Sequence, residues 1–492
     1  MQHSAQTTRR WPISPHATAV LLLAGIAQAL SLAWPFDGAF KGNAQGWLQC
    51  LSLAVLAFHV DRSQSGKEAF VKAWVFALAW LAGSIWWLFI SMHRYGGLPA
   101  PVAGLAVGLM AAGLALFYAA AAGMYHAICK TGVGVLPRAG AFAAVWVLAE
   151  MVRGTLWTGF PWGAVGYAHV DSLLQHWAPW MGVYGLCALS AFMAMAVAAE
   201  RKHNRPTTLA TQLVVAAIVA VLGYTWFMSP SQSVDEEALS KKPLSVTLLQ
   251  GNIPQDLKFG EGVSLALRDY REALLSSASD LTVTPETAIP LIQQQMPERY
   301  WSQLETHFSK GKQAALIGLP LAQRSEQGQL QYSNSAIALM PQTIPASTAN
   351  YQYDKHHLVP FGEFVPPLFQ WFVRMMNIPL GDFNRGDVAQ PSFVFKGERI
   401  APNICYEDLF GEELARSFAD PDKAPTLMVN LSNIAWFGDT VAIDQHLHIS
   451  RMRALELGRP MLRATNTGAT AIINAQGQVT HRLPSAVQGA LT

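Results

Sequence analysis

The sequence predicts a multi-span α-helical membrane domain followed by an α/β domain. Of its 492 residues, 51% are hydrophobic and only 13% charged, and the mean hydropathy is +0.21. An ordinary soluble protein is about 25% charged. The composition also changes along the chain. Residues 1–229 hold 13 Lys+Arg and 6 Asp+Glu, net +7, while residues 230–492 hold 21 and 26, net −5. At the same point the apolar segments shorten, from runs near the 20 or so residues that cross a bilayer to short β-rich runs. These observations exclude a disordered chain, a nucleic-acid binder with a basic surface and a wholly soluble enzyme. The organisation they predict is a membrane helix bundle over 1–228, a polar linker over 229–242 and a soluble domain over 243–492.

Seven spans are expected: Ala17–Trp34, Gly46–Val60, Val71–Met92, Pro101–Cys129, Ala139–Val152, Trp177–Ala199 and Leu209–Met228. The second and fifth are short, and the fourth is long enough to tilt or to hide a break. The first is too long for a signal-peptide core, and no small-residue cleavage site follows it. Arg9, Arg10, Arg62, Lys67, Lys72, Lys130, Arg138, Arg201, Lys202 and Arg205 fall on one side; Lys41, Arg94 and Arg153 fall on the other. The positive-inside rule places the first set in the cytoplasm, so an odd number of spans puts the soluble domain outside. Trp34, Trp47, Trp86, Trp87, Tyr95, Trp157, Trp162, Tyr167, Trp177, Trp180 and Tyr184 gather near the outer ends, as an interfacial belt or as the lining of a lipid-facing entrance. Gly154–Tyr167 reads as a re-entrant or interfacial loop. Glu150 and Arg153, three apart on a helix, can pair. Few other charges lie within the spans, which argues against an ion pathway.

In the soluble half, strands are expected at Leu244–Leu249, Leu281–Thr284, Ala314–Leu319, Ser335–Met340, Ile400–Ile404, Leu427–Leu431 and Thr470–Ile473. Helices are expected at Ser264–Ser277, Glu412–Phe418 and Ile443–Leu457. Some strands alternate with helices and others follow one another directly, which predicts a mixed sheet. No phosphate-binding glycine loop and no zinc spacing appears. His446 and His448 are two apart and His356 and His357 adjacent, both poor for chelation on one face. Neither a cofactor nor a metal is expected.

Three segments share one design, in which a β-run ends and a side chain with possible chemistry follows: Leu281 to Glu286, Tyr351 to Lys355, and Ile400 to Cys405. In α/β sheets, sites gather at the carboxyl ends of strands. Cys405 is the single cysteine of the soluble half, and so either a buried small residue or a reactive thiol. A carboxylate can take a thiol proton and return it, and an ammonium can stabilise an oxyanion. Glu286, Lys355 and Cys405 together make a coherent acyl-transfer set.

The surrounding residues decide between these readings. Gln250-Gly-Asn-Ile-Pro-Gln255, Pro285-Glu286-Thr-Ala-Ile-Pro290, Asp354-Lys355-His-His-Leu-Val-Pro-Phe-Gly-Glu363, Asn403-Ile-Cys405-Tyr-Glu407-Asp, Ala435-Trp-Phe-Gly438 and Arg451-Met-Arg-Ala-Leu-Glu-Leu-Gly-Arg459-Pro run through the soluble half, and Gly159-Phe-Pro-Trp162 lies in the membrane half. With them the chain resembles the apolipoprotein N-acyltransferases, membrane members of the nitrilase (carbon–nitrogen hydrolase) superfamily.

The resemblance implies an αββα sandwich on the outer face of a bacterial inner-membrane helix bundle. It implies Glu286 as general base and acid, Lys355 as oxyanion stabiliser and Cys405 as nucleophile. Glu363 matches the second glutamate of the superfamily, which positions the lysine and the substrate. Tyr406 and Glu407 match positions needed for activity, and the Tyr406 N–H is a natural oxyanion donor. Phe259 and Trp436 are candidate substrate-binding residues. The implied reaction moves an acyl chain from a phospholipid, such as phosphatidylethanolamine, through a Cys405 thioester to the α-amino group of a diacylglyceryl-cysteine apolipoprotein, with the enzyme acting as a monomer. The alternative is a membrane-tethered amidase with the same triad and water as acceptor. Phe259 stands where the family has Trp, and Ile434 where it usually has Asp, a change that removes a charge and an acceptor from that loop. The family also ends in a further membrane helix; here no apolar run precedes Thr492, so either the sequence is truncated or the N-terminal bundle is the anchor.

Overall fold

The computed structural model describes residues 12–129, 132–200, 243–258, 260–324, 328–342, 351–366 and 383–492. The expected seventh span Leu209–Met228, the linker 229–242, Phe259, and the basic residues Arg9, Arg10, Lys130, Arg201, Lys202 and Arg205 lie outside the described residues. The chain divides into two compact units that do not follow chain order. One is drawn from 1–86, 105–174 and 183–224, and the other from 87–104, 175–182 and 225–492.

The first unit is helical. Its first helix, α1 (Pro15–Leu30), starts where Ser14 accepts the Ala17 N–H and Pro15 fills the first turn, a position that needs no donor. It is followed by α2 (Gly46–Asp61), α3 (Gly66–Ile85), α4 (Ala100–Ile128), α5 (Val135–Thr155) and α6 (Ala178–Glu200), the last beginning in the other unit. Among the described residues, four stretches are long and apolar enough to cross a membrane: Gly66–Ile85, Ala100–Ile128, Val135–Thr158 and Leu173–Ala199. Helices α1 and α2 are apolar but only 16 residues long. The 29-residue α4 is unbroken. The break falls instead in the expected third span, where α3 ends at Ile85 and the chain passes through a π-turn, Ser91–Tyr95, closed by Gly96 N–H on Ser91 O at 2.9 Å. Hydropathy reports apolar composition and is blind to where the hydrogen-bond ladder changes.

Glu150 and Arg153 do pair, at 2.7 Å with both side chains fully buried. Arg153 also donates to the carbonyls of Phe160, at 2.5 Å, and Trp162, at 2.9 Å, and its Nε donates to Tyr118 Oη at 2.8 Å. The expected re-entrant loop is non-helical around Gly159–Trp162 and buried in protein from Trp162 onward, the condition under which irregular backbone is tolerated at such a place.

Among the described residues, the second unit is a sandwich of two mixed six-stranded sheets. One holds β1 (Val246–Gln250), β2 (Leu281–Val283), β3 (Ala314–Arg324), β4 (Leu330–Leu339) and β5 (Tyr351–Asp354), with β12 (Gly489–Leu491) antiparallel on β1. The other holds β6 (Phe393–Phe395), β7 (Glu398–Ile404), β8 (Leu427–Ser432), β9 (Met461–Thr465), β10 (Ala471–Ile473) and β11 (Val479–Arg482). Runs β1–β2–β3 and β7–β8–β9 are parallel, and their flanks are antiparallel. The period-2 alternation of β3 shows the layering. Ala314 and Leu316 join the core between the sheets with Ile404, Val429 and Leu462, while Ala315, Ile317 and Leu319 face the helices Gly262–Ser276 and Tyr300–Lys310. Ala442–Leu457 packs against β9 of the other sheet. This is the αββα sandwich that the motifs imply.

Segment 87–104 belongs to this second unit. Trp87 is 1% exposed, packs tilted against the Phe437 ring with centroids 4.2 Å apart and donates to Gln445 at 3.1 Å. Tyr95 meets Trp436 edge-on at 5.6 Å. Leu98 and Ala103 cluster with Phe89, Met92 and Phe361. The aromatic residues expected as an interfacial belt or as the lining of a lipid-facing entrance divide: Trp87, Trp162 and Tyr167 are core, whereas Trp157 and Trp180 are exposed.

Candidate active site

Each of the three strand-end residues lands where its strand delivers it. Glu286 follows β2 by a Thr284-Pro285 step. It fits against β3 only because position 318 is glycine: a Cβ there would meet Pro285 O at 2.3 Å and Glu286 Cα at 3.0 Å. Lys355 follows β5 directly, and its backbone N–H bonds Asn334 O at 2.8 Å. Cys405 follows β7 with φ of 53°. A left-handed backbone costs a non-glycine residue on the order of 1–2 kcal/mol, and such strain gathers at functional positions.

Glu286, Lys355 and Glu363 form one buried cluster. Lys355 Nζ lies 3.1 Å from Glu286 Oε1 and 2.9 Å from Glu363 Oε2, and the lysine is 0% exposed. Asn334 Nδ2 donates to both carboxylates, at 2.8 and 2.7 Å. Glu286 Oε2 accepts the Asn433 N–H at 2.9 Å, and Glu363 Oε2 accepts the Val359 N–H at 2.8 Å. Burial works against the charge on Glu286, but Lys355 and Lys258 outweigh it and hold the carboxyl below its usual range. Burial likewise opposes the charge on Lys355, and Glu286 and Glu363 reverse this and hold the ammonium above its usual range.

Cys405 is half-buried, with Ser432 Oγ 3.4 Å from its sulfur. Burial, then the Glu286 charge, push its thiol up to about 12, and Lys355 pulls the other way. The resting group is therefore a thiol beside an ionised carboxylate and an ionised lysine. Behind it, Asn430 Nδ2 donates to the Cys405 carbonyl at 3.2 Å, and His446 Nε2 lies 3.3 Å from the same oxygen.

Glu407 is buried two residues on. It accepts the backbone N–H groups of Ile404 at 2.6 Å, His356 at 2.6 Å and His357 at 3.2 Å, and the Tyr353 hydroxyl at 2.9 Å. Burial pushes its carboxyl up to about 7 against these donors. Tyr406 is buried with its ring edge-on to Phe410 at 5.2 Å. Trp436 is half-buried, with its ring edge-on to Tyr95. Ile434 is 1% exposed. Its turn is held by the preceding residue, whose amide donates to Gln255 Oε1 at 2.9 Å and accepts from Asn466 at 3.1 Å. Among the described residues no group of His, Cys, Asp and Glu is arranged to hold a metal.

Sequence reasoning missed Asn334, Asn433 and Lys258. Lys258 Nζ donates to the Glu286 carbonyl at 3.2 Å from a side chain that is 3% exposed. Asn334 lies mid-strand on β4, and nothing in its spacing marks it. Lys258 stands three residues past Gln255 in a turn that also carries Asp256 and Glu261, where a lysine reads as an ordinary surface charge.

Two family models match: the apolipoprotein N-acyltransferase N-terminal domain over residues 27–196, and carbon-nitrogen hydrolase over residues 245–491. An apolipoprotein N-acyltransferase of Verminephrobacter eiseniae is 51% identical over 482 residues, covering 96% of this chain and 87% of that protein. One of Ralstonia nicotianae is 45% identical over 458 residues, covering 92% and 84%. Among solved structures, a carbon-nitrogen hydrolase of Helicobacter pylori matches with TM-score 0.35 and 14% identity, over 50% of this chain and 87% of that one.

Proposed function

Since the chain belongs to the apolipoprotein N-acyltransferase family and is an enzyme of lipoprotein N-acylation, we propose that Glu286, Lys355 and Cys405 carry the transfer, by two half-reactions through a thioester on Cys405. The observation that supports this most is the buried Glu286–Lys355–Glu363 cluster, within electrostatic reach of a strained, half-buried thiol.

In the first half-reaction the sulfur attacks the ester carbonyl of a phospholipid. A thiol held near 12 is not a resident thiolate, since each pKa unit of mismatch costs about 1.4 kcal/mol. Its proton passes to Glu286 as the C–S bond forms. Lys355 and the Tyr406 N–H stabilise the oxyanion. The C–O bond then breaks, and Glu286 returns the proton to the leaving lysophospholipid. In the second half-reaction the neutral α-amino group of a diacylglyceryl-cysteine attacks the thioester, Glu286 takes its proton, the C–S bond breaks and Glu286 passes that proton to the leaving sulfur, which restores the Cys405 thiol and the Glu286 carboxylate. Glu363 positions Lys355, and Glu407 positions the cysteine turn. Phe259 and Trp436 contribute to the lipid-binding surface.

Phosphatidylethanolamine is the proposed donor. The proposed setting is the bacterial inner membrane, multi-pass, with a monomer whose catalytic domain (243–492) faces the periplasm and whose bundle (1–228) is joined to it by 229–242. Bacterial relatives and four membrane-length helices support a bacterial membrane protein. Both substrates carry acyl chains that cost about 0.8 kcal/mol per CH₂ to draw into water, so a site at the bilayer surface avoids that cost. The amidase alternative is not favoured, because the relatives matched along the whole chain are acyltransferases by name. Intact mass spectrometry after incubation with phosphatidylethanolamine tests the reading. It predicts a hydroxylamine-labile gain of one acyl chain, absent in Cys405→Ala; an equal gain in that variant sinks it.

A further inference from the structure

We infer that Lys258 is a second cation of the reaction centre, a positioning residue that keeps the Glu286 carboxylate ionised and ready to take the Cys405 proton. The inference rests on the reading of Glu286 and Cys405 given above.

Lys258 lies on the turn that follows β1 and is buried to 3% exposure. An ammonium carries three N–H donors. Among the described residues its hydrogen bond goes to the Glu286 carbonyl, at 3.2 Å, and not to a carboxylate. A structural lysine is normally left at the surface or paired with an acid. Asp256, two residues earlier, does not pair with it: that carboxylate is half-exposed and lies 3.7 Å from Arg94. The groups whose negative charge favours the Lys258 ammonium are Glu286 and, once it forms, the Cys405 thiolate, the proton acceptor and the proton donor of the proposed attack.

The groups around Glu286 come from several elements. Lys258 comes from the turn after β1, Lys355 from the end of β5, Glu363 from the loop beyond it and Cys405 from the end of β7, with Glu407 behind Lys355. Asn334 on β4 and the Asn433 N–H after β8 are neutral donors. Two lysines balance Glu286 and Glu363. Moving the Cys405 proton to Glu286 then shifts charge among Cys405, Glu286, Glu363, Lys258 and Lys355, whose sum is zero; Glu407, pushed up to about 7, adds a partial negative charge behind them. Without Lys258 the set carries one uncompensated negative charge, which disfavours both an ionised Glu286 and a forming thiolate. Burial draws the Lys258 ammonium down to about 8 against the charges of Glu286 and Cys405, so it is charged at neutral pH and loses its charge on the alkaline side.

The test is the pH dependence of thioester formation by the full-length enzyme in detergent micelles containing phosphatidylethanolamine, followed by intact mass. Lys258→Gln keeps an N–H donor for the Glu286 carbonyl but removes the charge. It is expected to slow thioester formation about tenfold at pH 7 and to move the acid limb of the profile upward by about one unit. Lys258→Arg, which cannot be neutralised, is expected to restore the acid limb and to abolish an alkaline limb near pH 8. A Lys258→Gln profile with the wild-type acid limb overturns the inference, whether or not the rate falls, because a packing defect lowers the rate without moving the limb. If Lys258→Gln does not fold, as judged by thermal unfolding, Lys258→Arg carries the test alone: an unchanged alkaline limb overturns it. If the wild type forms no adduct on Cys405, the triad reading itself fails, which is a separate result from a wild-type adduct with an unmoved limb.

Discussion

The Glu407 carboxylate accepts the backbone N–H of His356, the residue after Lys355, at 2.6 Å. Its other oxygen accepts the N–H of Ile404, the residue before Cys405, also at 2.6 Å. One buried side chain thus ties the end of β5 in one sheet to the end of β7 in the other, and sets the spacing between lysine and nucleophile. Neither strand pairs with the other, so the sheet ladders alone do not fix this distance.

Glu407→Ala is therefore expected to leave buried N–H groups without an acceptor, at about 1–3 kcal/mol for each one left unsatisfied. Thioester formation should fall at least about 100-fold, the scale of an ångström of misplacement between reacting groups. Glu407→Gln keeps one oxygen acceptor and should lie between the two. Single-turnover acylation and a thermal unfolding curve on the same samples check this. Wild-type acylation by Glu407→Ala would remove Glu407 from any part in positioning.

Arg153 supports a different prediction, confined to the helical unit. Its guanidinium is fully buried and pairs with Glu150 at 2.7 Å, while holding the carbonyls of Phe160 and Trp162. Breaking one partner of a buried pair costs about 3–5 kcal/mol, because it strands the other charge. Arg153→Met should lower the unfolding midpoint in detergent accordingly. The double variant Glu150→Leu/Arg153→Met should recover part of the loss, and not all of it, since the two loop carbonyls stay without a donor. Equal midpoints for the single and double variants would show that the carbonyls, and not the stranded carboxylate, dominate.

Residues with local signatures were legible in the sequence. β-runs ending on Glu286, Lys355 and Cys405 are visible as patterns, and their convergence follows from the rule that sites lie at strand ends. The pairing of Glu150 with Arg153 was legible because i, i+3 neighbours share a helix face. Short or late strands, Phe393–Phe395, Met461–Thr465, Val479–Arg482 and Gly489–Leu491, were not. They are too short to show a period, or owe their state to a partner distant in sequence, as Leu491 does to Leu248. The same holds for Asn334, whose bond to Glu286 spans 48 positions, and for the Trp87–Gln445 contact, which spans 358. The π-turn after Ile85 was illegible because it changes hydrogen-bond partners and leaves composition as it was.

Asp408 gives the pH-dependent prediction. Its carboxylate is buried behind the nucleophile, 2.9 Å from His446 Nε2 and 3.2 Å from Arg463 Nη1, and Ser450 donates to it. His446 in turn reaches the Cys405 carbonyl at 3.3 Å, so the network backs the strained turn. Burial opposes the charge on Asp408, but His446, Arg463 and Ser450 outweigh it and hold the carboxyl below its usual value. An acid whose pKa is lower in the folded state stabilises the fold fully above its unfolded value, near 4, and loses that contribution as pH falls through the folded value. Asp408→Asn removes the carboxylate and strands Arg463, so it should cost about 3–5 kcal/mol at neutral pH. The gap between wild type and variant should then narrow as pH drops below about 4, because the wild type loses what the variant never had. Unfolding midpoints measured from pH 7 to pH 3 decide it. A gap that stays constant over that range would mean that Asp408 is not bound as a carboxylate, and that the turn carrying Cys405 is held by Asn430 and the sheet alone.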